Sequence, residues 1–162
     1  MDIKKIAKDE ATVWFSRDEL NFMIAAIERA LKEIDPEYFY TRTGRTADYA
    51  NAVVVQLRVA IGGKDLRMPS HQSDDRTRCV AYDPRAPTRQ HVIMRVERVA
   101  DGRALVSVSD HELRFLNNAI NESVHGLRGI EEFERAIGKT REYGDALMDQ
   151  LVDANDRVEA LN

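Results

Sequence analysis

Apolar positions recur at helical spacing in two stretches of the chain. Leu20, Met23, Ile27, Leu31 and Ile34 make one stripe, and Leu113, Leu116, Ile120, Val124 and Leu127 make another. Both follow the 3.6-residue period of an amphipathic helix. Phe22 with Ala26, and Phe115 with Ala119, widen each stripe, so each helix is expected to pack on two sides. A weakly alternating apolar run precedes each one, Ala11 to Phe15 and Ala104 to Val108, and reads as a strand. At each junction stands Ser-x-x-Glu: Ser16 with Glu19, and Ser109 with Glu112. In such a capping box each side chain satisfies a backbone N–H that the first helical turn leaves unpaired.

The likeness extends further. VWFSRDELNFMIAAIERAL from Val13 lies over VSVSDHELRFLNNAINESV from Val106 at an offset of 93 residues. After a one-residue slip the offset becomes 94 and aligns Phe39 with Phe133, Gly44 with Gly138, Tyr49 with Tyr143 and Leu57 with Leu151. Caps, aromatics and glycines in one order imply a tandem duplication of a three-helix unit. The second helix of each copy is short, over 36–43 with Asp35 as N-cap and Pro36 at its first position, and over 130–137 in the twin. Gly44 and Gly138 stand where a left-handed helix end is wanted, and Thr46 and Thr140 are expected to cap the third helix. That helix ends near Gly62 in copy one and runs on towards Leu161 in copy two.

Between the copies the pattern changes. Residues 63–103 hold Pro69, Pro84, Pro87 and the polar run SHQSDDR, outside the duplication. HVIMRVERV alternates, Asp101-Gly102 is a hairpin-turn dipeptide and ALVSV follows, which predicts a β-hairpin. The expected class is α+β, mainly helical: a duplicated three-helix unit with a small antiparallel sheet between and beside the copies. Read as a single pseudo-symmetric domain over 1–162, repeat 1 takes 11–62, the insert with its hairpin 63–103, and repeat 2 104–162. The wide apolar faces leave monomer and homodimer both open.

Composition narrows the class. A chain of 162 residues with 43% apolar content can bury a core without a covalent staple. Its single cysteine, Cys79, excludes a disulfide framework and a multi-cysteine zinc site. The strongly apolar run Ala52 to Val55 is far short of a membrane span, and MDIKKIAKDE lacks an apolar signal region, so a soluble cytoplasmic protein without a membrane partner is expected. The net charge of −4 is unevenly spread: residues 58–103 carry ten basic side chains against six acidic, which leaves −8 elsewhere. Residues 129–162 hold nine acidic side chains against four basic.

Candidate chemistry is sparse. His71, His91, His111 and His125 show no metal-ligand spacing, and no phosphate-binding glycine loop is present, so no metal or cofactor is expected. Cys79, with His71 or His91, is the one candidate nucleophile, and a small buried hydrophobe is the simpler reading. His111 reads as a surface residue and His125 as a cation at a helix C-terminus. Arg76, Arg78, Arg85 and Arg89 are the candidates for nucleic-acid contact, without the aromatic interleaving that would strengthen them. Glu131, Glu132, Glu134, Asp145 and Asp149 are the candidates for docking a cationic protein, where opposite potentials speed encounter and reject wrong partners.

The second copy, NAINESVHGLRGIEEFERAIGKTREYGDALMDQL, resembles a short helical module recurring in uncharacterised small bacterial proteins. The resemblance rests on Asn121-Glu122, Glu132-Phe133, Gly138-Lys139-Thr140-Arg141-Glu142 and Leu147 with Leu151; copy one departs with Glu28-Arg29 and Ala47-Asp48. Such proteins are similar in scale and acidity to immunity proteins that neutralise a toxin. The resemblance implies a non-enzymatic inhibitor of immunity or antitoxin type, bound to a cationic toxin domain. A nucleic-acid-associated regulator using the arginines, and an enzyme dependent on Cys79, are the alternatives.

Overall fold

Val13 faces Val106 across an antiparallel ladder, and the fold is arranged about that pair. The computed structural model describes residues 1–62 and 94–161. In chain order the elements are β1 (Asp2–Ala7), β2 (Glu10–Ser16), α1 (Arg17–Glu33), α2 (Pro36–Thr43) and α3 (Ala47–Gly62). Then follow β3 (Arg95–Ala100), β4 (Arg103–Ser109), α4 (Asp110–Asn121), a π-turn (Glu122–Gly126), α5 (Ile130–Ile137) and α6 (Arg141–Glu159). The class is α+β and mainly helical. Among the described residues no helix is long and apolar enough to cross a membrane.

The four strands lie in the order β1-β2-β4-β3, every neighbouring pair antiparallel. Alternation turns Ala11, Val13 and Phe15 of β2, with Ala104, Val106 and Val108 of β4, towards the helices, all fully buried. The expected hairpin forms over β3 and β4, with Asp101 and Gly102 both at positive φ as a tight hairpin turn requires. A second hairpin, β1 with β2, was not expected from the sequence. Its register shifts between Ile3 and Lys5, and that of β3 with β4 shifts between Val96 and Arg98, 93 residues on. Such a bulge breaks the period-2 pattern by which a strand is recognised, which is why DIKKIA does not read as one.

Both capping boxes form. Ser16 and Ser109 accept from the Glu19 and Glu112 N–H groups, each at 3.2 Å, and the two carboxylates accept in return from the serine N–H groups. Each helix start is also tied to the far hairpin. Arg17 N–H donates to the Gly102 carbonyl at 3.1 Å, and Asp110 N–H to the Asp9 carbonyl at 3.3 Å. The crossing continues through the core. Phe22 packs on Tyr143 with ring centres 5.2 Å apart, and Phe115 on Tyr49 at 5.3 Å. Arg45 covers Tyr49 and Lys139 covers Tyr143, at 5.2 and 5.1 Å. Burial pushes both tyrosine hydroxyls above their ordinary pKa. Helix α3 packs on β3 and β4, while α6 packs on β1 and β2. Each hairpin is thus covered by the third helix of the other half.

The slip from 93 to 94 has a structural place. Arg17–Glu33 is α-helical throughout, whereas its counterpart passes from α4 into the π-turn, where Leu127 N–H reaches the Glu122 carbonyl five residues back at 2.8 Å. The wider turn takes up one extra residue. From there Gly44 and Gly138 end α2 and α5 at φ 78° and 68°, in the left-handed region expected of them.

Candidate partner-binding surface

The acidic candidates lie on α5 and α6, and the structure divides them. Phe133 anchors α5 by packing edge-on against Phe22, with the Arg29 guanidinium 4.9 Å from its ring centre. Arg29 is buried and donates to the Ser123 carbonyl at 2.9 Å, to the Arg128 carbonyl, and to Glu33 at 3.2 Å. With Phe133 turned inward, Glu131 and Glu132 are exposed.

Two of the five carboxylates are engaged inside the molecule. Glu134 Oε1 accepts the Arg141 N–H at 2.6 Å, so it serves as the cap of α6. Thr140 takes the N-cap position expected of it but makes no cap hydrogen bond. Its hydroxyl bonds the Glu142 carboxylate instead and holds that carboxyl below its ordinary pKa. Asp145 Oδ1 lies 2.7 Å from His125 Nε2, and Arg141 meets His125 Nδ1 from the other side. A guanidinium only donates, so Nδ1 accepts and Nε2–H is directed at Asp145. His125, in the last turn of its own helical segment, thus bonds across to α6. His111 is exposed, as expected.

Asp149 is exposed but stands apart from α5. It lines a cleft of about 430 Å³ between α6 and β1, together with Asp2, Asp153 and Arg157. The Lys4 ammonium, hydrogen-bonded to Asp2, holds that carboxyl below its ordinary pKa, and Arg157 pairs with Asp153 at 3.5 Å. The expected single acidic face is thus two patches, one of Glu131 and Glu132 and one around Asp149. Arg76, Arg78, Arg85, Arg89 and Cys79 lie outside the described residues.

Sequence reasoning passed over two further sets. Tyr38 and Tyr40 on α2 are 61% and 52% exposed, on either side of buried Phe39. At the 94-residue offset they correspond to Glu132 and Glu134. The second set is Asn117, Asn118 and Asn155, which meet between α4 and α6. Their signal lies in the alignment itself, because Ile24, Ala25 and Ile61 occupy the corresponding positions of the first half. No family model, curated protein or solved structure matches the chain.

Proposed function

We propose that the chain is a protein-binding module of immunity or antitoxin type that docks a cationic partner through the acidic residues of α5 and α6. The observation that carries this reading is the state of their charges. Glu131, Glu132 and Asp149 are exposed and have no ion-pair partner among the described residues. Glu134, Asp145, Asp153 and Glu159 are held by neighbours inside the molecule. Three free carboxylates on an acidic helix pair suit a partner rich in Lys and Arg.

The recurrence at 93 and 94 residues supports a duplicated unit spanning 1–62 and 94–161, wider than the 11–62 and 104–162 of the sequence reading. Residues that build the scaffold recur in both halves, among them the capping boxes, the crossed Phe–Tyr pairs and the glycine stops. Exposed residues differ: Tyr38 and Val55 stand where the second half has Glu132 and Asp149. The reading therefore assigns the fold to what the halves share and the docking surface to where they differ.

Immobilised full-length chain in an extract of the cells that encode it, followed by titration of the retained polypeptide, tests the function. The expected result is a basic protein bound with nanomolar affinity that weakens as salt is raised. Replacing Glu131, Glu132 and Asp149 together by Lys should weaken it at least ~100-fold while the helical circular dichroism is kept. Affinity and salt dependence unchanged by this reversal would contradict the reading.

A further inference from the structure

The alternation that turns Ala11, Val13 and Phe15 inward sends Thr12 and Trp14 of β2 to the other face of the sheet. Leu105 and Ser107 of β4 pair with them there. The register extends each row to the edge strands. Asp2, Trp14, Leu105 and Arg98 form one row, and in the next Lys5 lies beside Thr12 and Arg95 beside Ser107. Two ion pairs cross this face, Arg95 with Glu10 at 3.1 Å and Arg103 with Asp2 at 3.9 Å. The Arg103 guanidinium also lies 5.6 Å from the centre of the Trp14 ring. Trp14 and Leu105 are half-buried and stand outside the hydrophobic core.

The charge of this face is opposite to that of the chain, whose net charge is −4. Lys5, Arg95, Arg98 and Arg103 outnumber Asp2 and Glu10, and the two acids are taken by Arg103 and Arg95. Lys5 and Arg98 are exposed and have no ion-pair partner among the described residues. At the 93-residue offset these two correspond, so both halves keep a cation there, whereas Trp14 corresponds to Ser107. One aromatic ring thus stands between an unmatched cation on each edge strand.

We infer that this sheet face binds single-stranded nucleic acid, with a base stacked on Trp14 and the flanking phosphates held by Lys5 and Arg98. A single strand can turn an unstacked base onto an aromatic ring, and every base has a flat face to offer. A duplex keeps its bases stacked on one another. A second copy of the chain would set like charges together here, and so would the cationic partner proposed for α5 and α6. The inference is therefore independent of that reading.

Trp14 is the only tryptophan of the chain, so indole fluorescence reports this face alone. An end-labelled thymidylate dodecamer is titrated into the full-length protein, following Trp14 emission together with anisotropy of the label. The expected result is saturable quenching in step with the anisotropy, weakening as salt is raised. Lys5→Glu with Arg98→Glu should weaken binding at least ~10-fold, and Trp14→Ala at least ~5-fold by anisotropy, with circular dichroism kept. No binding, or anisotropy that rises without quenching of Trp14, would overturn the inference. Equal quenching by the annealed duplex or by polyglutamate would overturn it as well. Each of these outcomes leaves the charge-reversal test of Glu131, Glu132 and Asp149 standing.

Discussion

Glu112 shows how much one side chain can hold. It is fully buried, and its carboxylate accepts from the Ser109 N–H at 2.9 Å, the Ser109 hydroxyl at 3.1 Å and the Met94 N–H at 2.6 Å. One acid therefore closes α4 and fixes the entry to β3. Glu112→Ala would strip two buried N–H groups of their acceptor, and it should lower the unfolding free energy by ~3 kcal/mol in urea titrations. The cap itself was legible, because Ser-x-x-Glu is a local pattern. The bond to Met94 was not, because it depends on how two distant segments meet. The same division holds for Asn117. Its identity is in the sequence, but its Oδ1, buried and without a hydrogen bond among the described residues, is so placed only once α4 and α6 pack.

At the scale of elements, the most informative feature is the π-turn. The slip in the alignment between Ile120 and Glu131 marks one extra residue, and the turn over Glu122–Gly126 takes it up. Ser123 secures that turn from inside, with its buried hydroxyl 2.6 Å from the Ala26 carbonyl of α1. Ser123→Ala removes this tie and should cost ~1 kcal/mol, read as faster amide exchange from Val124 to Leu127. Helices were legible because their stripes are long and their ends are signed by Ser, Pro and Gly. Strand β1 was not, since its bulge interrupts alternation in a stretch already carrying Lys4 and Lys5.

For the whole molecule, crossing is the organising fact. Each half lends its third helix to the other's hairpin and its Phe to the other's Tyr. The uneven charge was legible in the sequence as a total for the last unit. Its division into two patches was not, because capping by Glu134 and the bond of Asp145 to His125 are tertiary. The account holds that shared residues carry the fold and unshared ones carry binding. A variant giving the second half the first half's residues tests this directly: Asn117→Ile, Glu132→Tyr, Asp149→Val and Asn155→Ile together. Its stability and its affinity for the polypeptide retained by the natural protein are measured side by side. The account expects unfolding free energy within ~1 kcal/mol of the original and affinity lower by at least ~100-fold, about 2.8 kcal/mol. Affinity kept within twofold, or a fold lost with the four changes, would contradict it.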